Sequence, residues 1–304
     1  MNARNDAVGI IGLGIMGSAI ARNLVSRGVM VRGYDIDPER FVLLRADGGK
    51  VCKSAADAAE GAALLLTSLP SAAALDATVE SLLSAGRRDL VIAELSTLPI
   101  PVKEQARDRL AGAAITLLDC PLSGTGAQAQ TGDLAVYASG PRAAYEAAEP
   151  FFLRFARASQ YLGAFGNGSK MKFVANLLVA IHNVASAEAM VLGMKAGLDP
   201  AMIVKVIASG AGNSRVFELR APLMAEAAYQ PATMKIDIWQ KDMAIIGDFA
   251  RQLGVATPTF TATEAVYRSA QKSGFGSDDT AAVCAVIEAG AGLLPNARAS
   301  RHNG

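Results

Sequence analysis

The chain has 304 residues, with 29 Lys and Arg against 28 Asp and Glu, a formal net charge of +1 and 51% hydrophobic residues. That balance excludes an intrinsically disordered chain and offers no electrostatic case for nucleic acid or an acidic membrane surface. The length suits two domains.

In chain order, Val8 to Ile11 is a β-branched run, and Ile15 to Arg27 has helical spacing that stops at Gly28. Val29 to Tyr34 reads as a second strand, and Asp37-Pro38 is a cap and first-turn pair that opens a helix. Further strands are predicted at Ala63 to Leu69, Leu90 to Leu95, Ile115 to Asp119 and Leu134 to Ser139. Helical stretches near 71–85, 99–111 and 141–156 separate most of them. The alternation predicts an α/β domain with a doubly wound parallel sheet of the Rossmann type over 1–166. From Ser169 to Ala196 runs one long helical segment, followed by helical patterns around 199–209, 214–228, 239–253, 258–273 and 278–291. These predict an all-α second domain over 167–295, joined by the long helix, and a frayed tail over 296–304.

Scarcity narrows the chemistry. The two histidines, His182 and His302, and the cysteines Cys52, Cys120 and Cys284 show no metal-ligand spacing and no CxxC, so no metal site is expected. An odd, scattered cysteine set fits a reducing compartment. Apolar runs such as Leu177 to Ile181 are shorter than the ~20 residues of a spanning helix, and Met1 to Asp6 is polar. A soluble cytoplasmic protein is expected, without a nucleic-acid or membrane partner.

Gly12-Leu13-Gly14-Ile15-Met16-Gly17 is a GxGxxG set directly after a strand and at the start of a helix. The first glycine allows a tight turn, the second lets backbone approach a pyrophosphate, and the third lets helix and strand pack closely. Asp35 follows 23 positions after Gly12, near the spacing expected of a carboxylate on a ribose hydroxyl. Such a carboxylate repels a 2′-phosphate, which favours NAD, although Arg32 and Arg40 keep NADP open. Asp35 as a helix-opening residue is the alternative.

The segment Gly12 to Leu24 resembles the N-terminal motif of the β-hydroxyacid dehydrogenases, which include 3-hydroxyisobutyrate dehydrogenase, tartronate semialdehyde reductase and the glyoxylate and succinic semialdehyde reductases, with 6-phosphogluconate dehydrogenase as a larger relative. Further motifs follow in family order. Leu69-Pro70 and Ser96-Thr97-Leu98-Pro99 come after strands, Asp119 to Gly126 resembles the substrate loop, Gly166 to Asn176 the catalytic motif and Lys241-Asp242 a cofactor-side motif. Gly274, Gly276 and Asp279 fit the closing pattern. Two positions depart from it: Thr125 replaces the second glycine of Ser-Gly-Gly, and Ala175 replaces the first of two asparagines.

The resemblance implies an NAD(P)-dependent oxidoreductase acting on a small hydroxy acid or its semialdehyde, of the 3-hydroxyisobutyrate or 2-hydroxy-3-oxopropionate kind. With histidine scarce, lysine is the candidate proton carrier, since a desolvated lysine serves as acid and base near neutral pH. Lys172 is preferred to Lys170 by the resemblance and because Lys172 and Asn176, four apart, share a helix face. Asn176 would orient the substrate oxygen. Ser123, Gly124 and Thr125 would bind a carboxylate, unless they form an ordinary turn. Ser96 and Thr97 would border the nicotinamide, or one of them would cap the helix opened by Pro99. Lys241 would reach cofactor or substrate, with a solvated charge as the alternative. His182 and Trp239 read as packing residues first. A homodimer or homotetramer is implied by the family and by the Ala-rich helices. Alternatives are a reductase of another carbonyl or an imine on the same fold, or a non-catalytic dinucleotide-binding protein; Lys172 and Asn176 weigh against imine reductases, which usually lack the lysine.

Overall fold

The structure is a computed structural model that describes residues 7–293; the polar start, the tail expected at 296–304 and His302 lie outside the described residues. It divides into two compact units, one running through Lys172 and the other from Phe173.

In the first unit β1 (Ala7–Ile11), α1 (Ile15–Ser26), β2 (Met30–Tyr34), α2 (Phe41–Ala46), β3 (Lys50–Val51) and α3 (Ala55–Ala59) come first. They are followed by β4 (Leu64–Thr67), α4 (Ala72–Ser84), β5 (Val91–Glu94), α5 (Ile100–Ala111) and β6 (Thr116–Asp119). These six strands form a parallel sheet in the order β3-β2-β1-β4-β5-β6. Side chains alternate across it, as the two-residue strand period demands. Val8, Ile10, Leu64, Leu66 and Leu118 pack on one face with Ile20 and Leu24 of α1. Leu65, Ile92 and Leu117 pack on the other with Ala58, Leu75, Leu82 and Leu110. Burial on both faces is why these strands read as continuous apolar runs. The order reverses between β1 and β4, and a doubly wound sheet opens its binding crevice beyond the carboxyl ends at that point.

The expected strand at 134–139 does not join this sheet. Beyond β6 the chain turns through Pro121 into β7 (Leu122–Ser123), then α6 (Gly126–Gln130), β8 (Ala135–Ala138), α7 (Arg142–Phe152) and β9 (Ala158–Tyr161). Strands β7, β8 and β9 make a separate three-stranded sheet in which β8 pairs antiparallel with β7 and parallel with β9. A parallel return needs a crossover of about a dozen residues or more, usually a full helix. The five-residue α6 is too short for that, whereas α7 supplies it for β9.

α8 (Asn167–Lys195) is continuous across the division. The first turn of α8 belongs to the sheet unit, to which it is tied through Gly168 and Ser169. The second unit adds α9 (Pro200–Ala208), α10 (Arg215–Glu226), α11 (Ile236–Gln252), α12 (Pro258–Ala270) and α13 (Val283–Gly290), and its described residues contain no strand, only a bridge between Lys235 and Asp279. By length and composition α8 is apolar enough to cross a membrane, which the short uninterrupted runs in the sequence did not suggest. Its Asn183 is nevertheless buried in the second unit, where it donates to the Tyr267 hydroxyl at 2.8 Å and to the Thr280 carbonyl at 2.9 Å.

Candidate active site

The glycine turn after β1 shows why each glycine is needed. Gly12 has φ +89°, and a Cβ there would lie 2.2 Å from the Ser68 carbonyl oxygen at the end of β4. At Gly17 a Cβ would lie 1.9 Å from the Gly12 carbonyl oxygen, so α1 packs directly on the turn. Gly14 is different. It has ordinary φ −66° and nothing within 4 Å of a Cβ, yet it stands at the start of α1, where no side chain caps the helix and no acidic residue occupies the first turn. An uncapped helix N-terminus facing open space fits a pyrophosphate. Leu13 lies within the turn with its side chain buried, Ile15 and Met16 begin α1, and Ser18 donates to the Leu13 carbonyl at 2.6 Å.

Asp35, just beyond β2, accepts from the Leu13 N–H at 2.6 Å and from the Asp37 N–H at 2.9 Å. It pins the turn and keeps lone pairs on both oxygens for hydroxyl groups. The capping alternative belongs to Asp37, whose carboxylate accepts from the Glu39 N–H at 3.0 Å. Of the two arginines that kept NADP open, Arg32 is withdrawn and Arg40 stays at the surface. Arg32 is buried against the Asp57 carbonyl and carboxylate, and Arg40 lies 3.2 Å from Asp37. The residues fit a dinucleotide of the NAD(P) kind.

The loops after β4 and β5 are cross-linked. The Leu69 N–H donates to Ser96 Oγ at 2.7 Å, and the Ser96 N–H donates to Glu94 Oε1 at 3.0 Å. Ser96 is thus not the cap of α5, a correction to that alternative; Pro99 precedes the helix and no side chain caps it. Pro70 is exposed and Thr97 half-buried beside this link.

In the next loop Ser123 is held by its pairing with Ala135. Gly124 has φ +133°, and a Cβ would lie 2.6 Å from Leu134. Thr125 caps α6 in a capping box with Gln128: the Thr125 N–H donates to Gln128 Oε1 at 3.0 Å, and the Gln128 N–H donates to Thr125 Oγ1 at 3.4 Å. The departure from glycine therefore has a local cause, and it commits both polar groups of Thr125 to the helix.

Sequence reasoning missed a buried ionic cluster under these loops. The Lys103 ammonium, on α5, donates to the Ser96 carbonyl at 2.7 Å and to Asp119 Oδ1 at 2.8 Å, and lies 2.7 Å from Glu94 Oε2. All three charged side chains are fully buried. Burial pushes the ammonium's pKa down, but the two carboxylates outweigh it and hold it above the ordinary lysine range. The legible signal was Lys103 on the apolar face of its helix, in register with Ala106 and Leu110, and an acidic residue closing each of β5 and β6.

On α8, Lys170 is exposed and lies 3.2 Å from Asn167 Oδ1, whereas Lys172 is half-buried. Asn176 follows one turn after Lys172 and is buried. Within the second unit, Asn176 donates through Nδ2 to Asp242 Oδ2 at 3.2 Å, and the Lys241 ammonium lies 3.5 Å from Asp242 Oδ1. A carboxylate only accepts, so this contact orients the Asn176 amide. Asp242, present in the sequence motif but assigned no role there, is the group that holds it. Trp239 packs against Tyr267 with ring centroids 6.4 Å apart, and His182 is half-buried on α8.

Residues 7–163 match the profile of the NAD-binding domain of 6-phosphogluconate dehydrogenase, and residues 166–287 that of the NAD-binding region of NADP-dependent 3-hydroxyisobutyrate dehydrogenase. L-threonate dehydrogenase of Cupriavidus necator is 34% identical over 285 residues, covering 92% of this chain and 95% of the relative. The crystal structure of 3-hydroxyisobutyrate dehydrogenase from Salmonella typhimurium is 28% identical and covers 92% of this chain and 99% of its own, with a TM-score of 0.82. That of the Mycobacterium tuberculosis 3-hydroxyisobutyrate dehydrogenase with L-serine is 25% identical, covers 92% and 98%, and also has a TM-score of 0.82. With the glycine turn, Asp35 and the doubly wound sheet already placed, these matches complete the assignment: the chain belongs to the family of NAD(P)-dependent β-hydroxyacid dehydrogenases.

Proposed function

We propose that the protein is a cytoplasmic enzyme that oxidises a hydroxyl of a short polyhydroxy acid of the L-threonate type, with NAD as the preferred cofactor. The observation that carries this reading is the pairing of Lys172 and Asn176 one turn apart on α8, with the Asn176 amide oriented by Asp242. Whole-length similarity to an L-threonate dehydrogenase favours that substrate over 3-hydroxyisobutyrate or 2-hydroxy-3-oxopropionate.

Oxidising a secondary alcohol removes a hydroxyl proton and a hydride from carbon; the nicotinamide cofactor, when bound, takes the hydride. The chain's own residues do the rest. Lys172, as the free amine, accepts the hydroxyl proton at Nζ and returns it in the reductive direction. Asn176 holds the same oxygen through the amide groups that Asp242 leaves available. The Ser123 hydroxyl and the Gly124 N–H receive the carboxylate, and Lys241 is a candidate cation for substrate or cofactor by its place in the family motif. Thr125 supports this loop by capping α6. Gly12 to Gly17 and Asp35 hold the dinucleotide, with Leu69, Pro70, Ser96 and Thr97 lining its nicotinamide side. The free cysteines Cys52, Cys120 and Cys284 suit a reducing cytoplasm.

Turnover of L-threonate, 3-hydroxyisobutyrate and 2-hydroxy-3-oxopropionate with each cofactor, read at about 340 nm, tests the reading. L-threonate with NAD is expected to give the highest kcat/KM. A clear preference for either C3-backbone compound would overturn the substrate assignment, and a preference for NADP would overturn the cofactor assignment. We propose further that the protein works as a homodimer or homotetramer through its helical unit, where Leu192, Leu198, Met202 and Val206 are exposed. A monomer in sedimentation equilibrium at micromolar concentration would be decisive against it.

A further inference from the structure

Three segments of the sheet unit converge on the Lys103 ammonium: the end of β5 through Glu94, the Ser96 carbonyl, and the end of β6 through Asp119. Asp119 then reaches the first turn of α8. Its Oδ2 accepts from the Ser169 N–H at 2.7 Å and from Ser139 Oγ at 3.2 Å, and its Oδ1 accepts from Ser169 Oγ at 2.7 Å. The Gly168 N–H donates to Ser139 Oγ at 2.9 Å, and a Cβ at Gly168 would lie 2.3 Å from the Tyr137 carbonyl oxygen and 2.7 Å from that of Asp119.

We infer that Lys103 and Asp119 are positioning residues for the reaction, setting the start of α8, and with it Lys172, against the Ser96 loop. The inference rests on the reading of Lys172 as proton carrier. An ammonium and two carboxylates make a poor choice for core packing, because apolar side chains of similar volume are often as stabilising. Their formal charge sums to −1 and lies at the N-terminal end of a 29-residue helix, whose dipole favours an anion there. What the cluster supplies that apolar packing does not is direction. Three of its hydrogen bonds, at the Ser96 carbonyl, the Ser96 N–H and the Ser169 N–H, hold backbone itself. Lys172 stands three residues beyond Ser169 on a rigid helix, so a small shift at Asp119 is carried to its Nζ. A misplacement of about 1 Å costs on the order of 10²-fold in rate.

The test compares Ser169→Ala, Lys103→Met and Lys172→Ala in the full chain. It measures kcat and KM on L-threonate (or the acid of the panel turned over fastest), the Kd for NADH by fluorescence, and Tm. Ser169→Ala removes one hydroxyl and leaves the Ser169 N–H on Asp119, so it keeps the question answerable if Lys103→Met does not fold. In Ser169→Ala, kcat is expected to fall about 10-fold or more, with KM and the NADH Kd within about 3-fold. Lys103→Met, where folded, is expected to fall further in kcat. A Ser169→Ala enzyme with unchanged kcat beside an inactive Lys172→Ala would overturn the inference alone, whether or not Tm dropped. Full activity in Lys172→Ala would overturn the lysine reading, and the inference with it.

Discussion

Replacing Lys172 by alanine is expected to lower kcat by about 10²–10⁴-fold, the range over which a positioned acid/base acts. The Kd for NADH should stay near that of the parent, because the residues placed on the dinucleotide lie on the loops after β1, β2, β4 and β5. Lys170→Ala is the matched control. It is exposed, two residues away and directed to Asn167, so its kcat should remain within about 2-fold of the parent. A Lys172→Ala enzyme that kept its kcat would remove the proton carrier from the mechanism. So would an equal loss in both variants, which would point to a helix-wide effect rather than to one ammonium.

The second large effect is expected in the glycine turn, where two substitutions of the same size should part company. Gly17→Ala drives a Cβ to 1.9 Å from the Gly12 carbonyl oxygen, a backbone atom that yields only if α1 lifts from the turn. Overpacking of this kind costs about 1–3 kcal/mol, and NADH binding should be lost with the distorted turn. Gly14→Ala meets nothing within 4 Å and keeps an ordinary φ of −66°, so its Tm should not change. Its NADH affinity should nevertheless fall by about 10-fold or more, because the methyl stands where the pyrophosphate approaches the helix N-terminus. Calorimetry and fluorescence titration on both variants separate the two causes. Parent-like NADH affinity in Gly14→Ala would move the pyrophosphate away from this turn.

Most of the sheet unit was legible because its information is local. The strands at Val8, Leu64, Ile92 and Leu117 are buried on both faces, and such runs stand out against helical spacing. The short elements were not legible. β3 and β7 are two residues long, β9 has no fully buried residue to mark it, and α3 and α6, at five residues each, span less than two helical turns. Their conformation follows from neighbours, as when Leu122 and Ser123 pair with Val136 and Ala135. Lys172 and Asn176 were legible as a pair because four residues on a helix is a fixed geometric relation. Thr125 was visible as a departure, but its reason, the capping box with Gln128, appears only once α6 is known to begin there.

The sequence by itself determined the doubly wound half, the helical half, and the glycine turn with its acidic partner; the choice of lysine where histidine is scarce stands as the proposal that Lys172→Ala tests. Each of these rests on spacing or composition within a short window. Only the tertiary structure decided that Asp35 serves the glycine turn while Asp37 does the capping, that Arg32 is withdrawn into a buried contact with Asp57, and that Asn176 is oriented by Asp242. It alone brought Glu94, Lys103, Asp119 and Ser169 onto one another. Those groups are separated along the chain by up to 75 residues (169 − 94), and no local period records their meeting. Their juxtaposition comes from the parallel sheet, which sets the ends of β5 and β6 side by side, with the Lys103 ammonium of the nearest helix between their carboxylates.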